Sequence, residues 1–101
     1  MTTTEFLNKY DTKYRFSEQE LFELWIDELF DDISDVAQVG EEEYGEPDRW
    51  NTCVTKVLRV EDRFFMIYCW RGNTEYQDSY YEIQPREVKP IQKIITVWEG
   101  V

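Results

Sequence analysis

The spacing of apolar residues changes near residue 49, and this change constrains the fold more than any other feature of the chain. Within residues 17–39, apolar side chains recur every three or four positions, which predicts a single amphipathic helix. Ser17 and Glu20 have the spacing of a capping box at its start, and Gly40 suits the left-handed position after a helix end. The expected inward face consists of Phe22, Trp25, Ile26, Leu29, Phe30, Ile33, Val36 and Ala37.

Beyond residue 50 the pattern is that of strands. Residues 52–60 and 63–70 are rich in β-branched and aromatic side chains and are separated by only two residues, which predicts two strands joined by a tight turn. A shorter strand is expected at residues 79–83, and a last strand at residues 91–98. Because consecutive strands with short connections are usually antiparallel neighbours, we expect an antiparallel sheet.

These patterns predict an α+β fold, in which one long acidic amphipathic helix packs on a three- to four-stranded antiparallel sheet. A short N-terminal helix is also expected over residues 4–10, with Phe6, Leu7 and Tyr10 facing inward. Residues 1–101 are enough for one compact domain and too few for two, so we expect a single domain.

The two halves of the chain differ sharply in charge. Residues 1–48, the acidic helical half, hold 15 acidic and three basic residues, a net charge of −12. Residues 49–101, the β half, hold seven acidic and eight basic residues, a net charge of +1. Neither lysine nor arginine occurs from Phe16 to Asp48, and a loop expected at residues 41–48 prolongs the acidic run. Such a chain is repelled by phosphate backbones and anionic membranes, which disfavours direct binding to either.

Four acidic residues would form one row along the predicted helix, because Glu23, Asp27, Asp31 and Asp35 are spaced four apart. Each step would rise about 6 Å, and the eight carboxylates within residues 18–35 would lie along about 27 Å of helix. One strand of a DNA duplex carries about eight phosphates over that length. Like charges at this spacing weaken a helix, which favours a functional reason for them.

The acidic run therefore predicts a surface that imitates nucleic-acid phosphates and binds lysine and arginine side chains of another protein. The alternative is that a solvated helix face is charged by default, so that the acids only keep the protein soluble. An aromatic side chain in the acidic loop, Tyr44, is interpreted either as a contact residue or as a cover for the core. The candidate partner-binding residues are Glu20, Glu23, Asp27, Glu28, Asp31, Asp32, Asp35, Glu41, Glu42, Glu43 and Tyr44.

The sequence gives no sign of catalysis. It has no histidine and lacks the glycine patterns of a nucleophile elbow, a P-loop or a dinucleotide site. The acids of residues 31–35 lack the spacing and the glycine of a calcium-binding loop, so we expect no metal and no other cofactor. Cys53 and Cys69 are expected to be free thiols in a reducing cytoplasm, and neither a secretory signal nor a membrane-spanning run is recognisable.

Residues 70–88 are dense in polar and aromatic side chains. They are interpreted either as a strand connection whose side chains cap its own backbone, or as a recognition edge that uses Arg71, Tyr76, Tyr80 and Tyr81. Three tryptophans are expected in the core or at its rim, namely Trp50, Trp70 and Trp98.

Short sequence motifs in the β half match a known group of proteins. They are Arg49-Trp50, VLRVEDRFF at residues 57–65, Trp70, Gly72, Thr74-Glu75, Gln77, QPREV at residues 84–88 and Trp98. Through these motifs the chain resembles small proteins encoded by phages and prophages of Gram-positive bacteria. The resemblance implies a phage origin and a place in the cytoplasm of a bacterial host, but it assigns no functional residues. Many small acidic phage proteins inhibit host defence, among them anti-CRISPR proteins that occupy the DNA-binding channel of Cas9.

The charge pattern and the resemblance together predict a non-enzymatic inhibitor, which blocks the DNA-binding channel of a host nuclease of the Cas9 type. The alternative function is that of a phage structural or assembly protein, or an adaptor. Such a protein would dimerise through its sheet, and its acidic face would serve only solubility.

Overall fold

The computed structural model describes residues 1–45, 51–72, 79–91 and 97–100. Within them the fold is α+β, as predicted, and the four strands form one antiparallel sheet in the order β1-β2-β3-β4. In chain order the elements are helix α1 (Thr3–Asp11), helix α2 (Glu18–Trp25), a turn of 3-10 helix (Ile33–Asp35), and strands β1 (Val36–Tyr44), β2 (Asn51–Val60), β3 (Arg63–Gly72) and β4 (Arg86–Val88).

The hairpin of β2 and β3 agrees closely with its prediction. The two strands pair without interruption from Asn51 opposite Gly72 to Val60 opposite Arg63. The connection has two residues, and Glu61 adopts a left-handed conformation in it, with φ of 56°. Tight hairpin turns require such positive φ angles, because their twist must match that of the strands.

The prediction of one long helix over residues 17–39 was wrong. Its start is confirmed, since Ser17 and Glu20 form a capping box, but the helix ends at Trp25. The chain then turns through a left-handed Asp27, with φ of 63°, and continues into β1. The acids contribute to the break, because like charges four residues apart and aspartates near a C-terminal helix end both destabilise a helix. Aspartate is also a poor helix former.

The inward face of α2 also differs from the prediction. Trp25 is buried as expected, but Phe22 and Ile26 are exposed, and Leu21 and Leu24 are buried in their place. Once the helix is only eight residues long, its buried stripe no longer has to continue towards residues 33–37. Leu29 and Phe30 remain buried although they lie beyond the helix, whereas Ile33 is 64% exposed and Val36 and Ala37 lie in β1.

The core lies between the two helices and one face of the sheet. Alternate residues of the central strands point into it, and α1 contributes Phe6, which confirms the short N-terminal helix with this side chain inward. The ring of Phe6 lies 5.1 to 5.3 Å from those of Phe16, Phe30 and Phe65. The buried hydrophobic residues are Phe6, Phe16, Leu21, Leu24, Trp25, Leu29, Phe30, Val54, Leu58, Val60, Phe65, Ile67 and Cys69.

Arg63 joins α1 to the last two strands. Its Nη1 and Nη2 atoms donate to the two carboxylate oxygens of Asp11, at 3.0 and 2.8 Å, and its Nε atom donates to Glu87. The hydrogen bonds from Arg63 hold the pKa of Asp11 below its usual value. A guanidinium that binds a carboxylate through two parallel hydrogen bonds also fixes the orientation of the two elements.

The C-terminal predictions were less accurate. Residues 79–83 do not form a strand; only Tyr80 forms a bridge, opposite Trp70, and the fourth strand is β4 instead. Residues 92–96 of the expected last strand, and Trp50, lie outside the described residues. The described ends of that segment have no strand structure, and Trp98 is 90% exposed, so its placement at the core rim was wrong. Trp70 is partly buried.

Candidate partner-binding surface

The eleven predicted binding residues lie in four successive parts of the chain and do not form a single helical row. Glu20 and Glu23 belong to α2, and Asp27, Glu28, Asp31 and Asp32 belong to the turn that follows it. Asp35 ends the 3-10 helix. The remaining four are in β1, where a loop was expected: Glu41, Glu42, Glu43 and Tyr44.

Glu20 is occupied by the capping of its own helix. Its Oε1 atom accepts hydrogen bonds from the Ser17 N–H at 3.0 Å and from the Tyr14 hydroxyl at 2.8 Å. Desolvation tends to raise the pKa of Glu20, but these hydrogen bonds outweigh it and lower the pKa overall. The carboxylate therefore stabilises the start of α2.

Asp31 and Asp32 hold the start of α1. The two Oδ atoms of Asp32 each accept a hydrogen bond from Thr3 at 3.0 Å, one from its N–H and one from its buried hydroxyl. Asp31 forms an ion pair of 2.9 Å with the amino group of Met1. A carboxylate at a helix N-terminus satisfies N–H groups that lack a partner within the helix and is favoured by the helix dipole. These two residues were predicted to bind a partner, but in the structure their carboxylates bind the start of α1 and stabilise the fold.

The variant Asp32→Asn should reduce the sensitivity of the protein to acid. Desolvation tends to raise the pKa of Asp32, but its hydrogen bonds with Thr3 lower the pKa overall, below the usual value of 3.8. Because the pKa is lower in the folded state, the stabilisation is complete above about pH 4 and is lost as the pH falls through the folded pKa. Thermal melts from pH 7 to pH 2 should show a melting temperature that falls in acid, with a smaller fall for Asp32→Asn. An equal fall in both proteins would contradict this role.

Of the eleven predicted residues, the acids that are exposed and do not bind the start of a helix define what we call the acidic border, which comprises Asp27, Glu28, Asp35, Glu41 and Glu43. Among the described residues, no lysine or arginine forms an ion pair with any of them. Asp27 lines a small cleft together with Val36, Ala37 and Gln38, so the turn after α2 lies beside β1. At about 3.3 Å per residue, the stretch from Asp35 to Glu43 extends over at most about 26 Å.

A bulge in β1 changes the direction of the acidic border. Val39 pairs with Val57 and Glu43 with Thr55, so β1 has two more residues than β2 between these pairs. Gly40 adopts a left-handed conformation there, with φ of 75°. The left-handed conformation expected of Gly40 is thus present, but inside a strand instead of after a helix. Bulges and charged side chains also keep an edge strand from pairing with other chains, which gives these glutamates a second interpretation.

Tyr44 is 60% exposed and does not cover the core, so that interpretation was wrong. Its hydroxyl donates to Glu42 at 3.3 Å and accepts from Nη1 of Arg71 at 3.2 Å. The guanidinium of Arg71 also lies 5.8 Å from the centre of its ring. Tyr44 and Arg71 therefore stabilise each other at the end of β1, and a contact role for Tyr44 stays a prediction.

In the segment 70–88, Tyr80 and Tyr81 have contacts within the protein, while Tyr76 lies outside the described residues. Tyr80 stacks on Trp70 with a ring separation of 6.1 Å. Tyr81 packs on Phe22 at 5.4 Å, and its burial together with a hydrogen bond to Cys69 raises its pKa to about 12. These contacts favour the interpretation of a strand connection.

A second surface, which was not predicted from the sequence, lies on the side of the sheet that faces away from the helices. We call it the outer face. None of its apolar side chains belongs to the core or packs against it. The signal was present in RFFMIYCW, which is apolar at both alternating sets of positions, as in strands buried on both faces. From β1 to β4 the outer face comprises Ala37, Val39, Glu43, Cys53, Thr55, Val57, Arg59, Phe64, Met66, Tyr68, Trp70, Arg86 and Val88.

The described residues contain no group of three or more histidine, cysteine or acidic residues that could hold a metal ion. Cys53 and Cys69 are free thiols, as expected. No helix in the described part of the chain is long and apolar enough to cross a membrane. No protein-family model, curated protein or solved structure proved significantly similar to this chain.

Proposed function

We propose that this protein is a non-enzymatic phage inhibitor that binds a basic nucleic-acid-binding channel of a host nuclease, in the first instance a Cas9-type enzyme. One observation carries the proposal. A net charge of −12 is confined to residues 1–48, and the carboxylates of the acidic border are exposed without an ion-pair partner among the described residues. The choice of target rests on the resemblance of the β half to phage proteins.

The acidic border would act by replacing phosphates. A channel that binds nucleic acid holds the backbone with lysine and arginine side chains, so a row of fixed carboxylates competes for the same cations. Three carboxylates of the border, those of Asp35, Glu41 and Glu43, lie within about 26 Å, and they are fewer than the phosphates of one DNA strand over that length, about eight. Competition is therefore expected to depend on the orientation that the β1 bulge gives to the glutamates, as well as on their number. Association should be fast and sensitive to salt.

The test compares two variants with equal net charge. The border variant carries Glu28→Lys, Asp35→Lys and Glu41→Lys, and the control carries Asp62→Lys, Glu82→Lys and Glu99→Lys. All six positions are exposed. Each variant gains six charge units and changes the net charge from −11 to −5. Cleavage of target DNA by a panel of guide-loaded Cas9 enzymes is measured with increasing amounts of each protein, after circular dichroism has established that each is folded.

The natural chain should inhibit at least one enzyme of the panel. The border variant should be about tenfold weaker or worse, and the control variant should retain most of the inhibition, because local charge complementarity determines the affinity. Equal losses in both variants would show that net charge alone is responsible. If the natural chain inhibits no enzyme in the panel, the assignment to Cas9-type targets is wrong.

A second candidate function is that of a phage structural or assembly protein. It is supported by the outer face, which presents partly exposed aromatic and aliphatic side chains over three strands. In this function the acidic border would keep the protein soluble and prevent the edge strand β1 from pairing with other chains. The charge-matched variants separate the two functions, since assembly through the outer face should not depend on Glu28, Asp35 or Glu41.

A further inference from the structure

The outer face is organised in rows that run across the strands. The central row is apolar in three successive strands, with Val39, Val57 and Met66 side by side and Arg86 of β4 at its end. The row on one side contains Ala37, Arg59, Phe64 and Val88, and the row on the other side contains Glu43, Thr55 and Tyr68.

Such a composition is unusual for an antiparallel sheet with one solvated face, because that face is normally polar. The aliphatic and aromatic side chains of adjacent rows form one continuous patch, of a kind that marks an interaction site. The chain has 22 acidic residues, yet Glu43 is the one acid among the paired positions of these three rows. Acidic residues are thus concentrated elsewhere on the molecule, and the part of the central row in β1, β2 and β3 carries no charge.

The size of the outer face is sufficient for a modest interface. β2 and β3 have ten residues each, so they extend over about 33 Å, and four strands are about 19 Å wide. Because β1 has nine residues and β4 only three, the sheet covers about 500 Å² in one copy, or about 1,000 Å² in two copies face to face, which is near the minimum for a specific interface. A second copy of the chain would cover the patch completely, since its own outer face has the same dimensions.

The charges at the two ends of the patch are complementary under a two-fold rotation. Arg59 lies two residues beyond Val57 on β2, and Thr55, the partner of Glu43, lies two residues before it. A two-fold axis along the central row, perpendicular to the strands, exchanges the two outer rows and places the exposed Arg86 of β4 opposite its own counterpart at the edge of the patch. Glu43 of the second copy then lies over Ala37, next to Arg59. The same contact occurs twice, as in every two-fold interface.

We propose that two copies of this chain associate face to face through the outer face, with Val57 and Met66 at the centre and two Glu43–Arg59 pairs at the ends. One Nη1 donor of Arg59 is already bound to the carbonyl oxygen of Glu61, and the other donors of the guanidinium can serve the carboxylate. The helices stay on the outside of such a dimer, as do four residues of the acidic border (Asp27, Glu28, Asp35 and Glu41), whereas Glu43 lies in the interface. The two proposals share only Glu43, and they can be tested separately, because the border variant changes Glu28, Asp35 and Glu41 and none of the residues of the dimer interface.

Association is tested by sedimentation equilibrium over a wide range of concentrations. The natural chain should approach the mass of a dimer. Met66→Asp should shift the dissociation constant by about a hundredfold or more, because it places a charge at the centre of an apolar interface. Glu41→Arg, a charge change in β1 outside the paired rows, should leave it almost unchanged.

A charge exchange tests the orientation and does not depend on the folding of Met66→Asp. Glu43→Arg and Arg59→Glu alone should each weaken the dimer by about tenfold, because each brings like charges together twice. The double variant should restore the natural dissociation constant. A chain that stays monomeric at its highest soluble concentration would overturn the proposal. So would a dimer that responds neither to Met66→Asp nor to the charge exchange.

Discussion

Replacing Phe6 with alanine is expected to lower the free energy of unfolding by about 3–5 kcal/mol, a large part of the 5–15 kcal/mol typical of small domains. Phe6 is completely buried, and its ring contacts those of Phe16, Phe30 and Phe65. These three rings come from the loop before α2, the turn after it and the first part of β3. Truncation therefore leaves a cavity where three separate segments meet, and none of them can close it without moving the others.

Urea denaturation monitored by circular dichroism measures this effect. The matched control is Phe22→Ala, which removes the same type of side chain from α2. Phe22 is 37% exposed, and its ring contacts that of Tyr81. Apart from the loss of its contact with Tyr81, we expect Phe22→Ala to lower the free energy of unfolding by about 1 kcal/mol or less. Folding removes only part of this ring from water. Equal losses in the two variants would mean that α1 does not contribute to the core as the fold indicates.

The parts of the fold that the sequence predicted well are those with strong local signals. The β2–β3 hairpin has alternating β-branched residues and a two-residue connection, and these determine pairing and register together. The capping box of Ser17 and Glu20 marks the start of α2 for the same reason, because both hydrogen bonds form within one turn.

The switch from helix to strand within residues 26–44 could not be predicted in this way. Apolar residues continue at helical spacing through residue 37, and local periodicity alone favours a helix there. Tertiary contacts decide the outcome. Asp32 binds Thr3, 29 positions away, and β1 obtains its hydrogen bonds from β2. The repulsion between acids was visible in the sequence, but its cost of a few tenths of a kcal/mol per pair was too small to place the break.

For the candidate surface, the sequence predicted an acidic region but not its geometry. The sequence could not distinguish the acids that bind within the protein from those that stay exposed, since all lie in the same acidic run. The acids that bind within the protein are Glu20, Asp31 and Asp32, and their partners are Tyr14, Ser17, Met1 and Thr3. The outer face was missed because alternation identifies which residues share a face, but not which face the helices cover.

Lys56 is the second residue for which we expect a large effect, and its role was not visible in the sequence. It is only 6% exposed, on the helix-facing side of β2, opposite the bulge of β1. Its Nζ atom donates to the carbonyl oxygen of Trp25, the last residue of α2, and lies 4.6 Å from the centre of the Trp25 ring. The final carbonyl groups of a helix have no partner within it, and a cation there is favoured by the helix dipole.

Lys56→Ala should therefore lower the free energy of unfolding by about 3 kcal/mol, through loss of the hydrogen bond and of the packed side-chain stem. Lys56→Met retains most of the stem and should cost about 1–2 kcal/mol, the penalty of leaving the Trp25 carbonyl oxygen without a donor. Urea titrations of both variants separate the two contributions. Because α2 ends where the acidic turn begins, Lys56→Ala should also increase hydrogen exchange at the amides of residues 26–30 more than at those of β3. If the methionine variant is as stable as the natural chain, burial of the ammonium costs as much as its contact with the helix end contributes, and Lys56 does not stabilise α2.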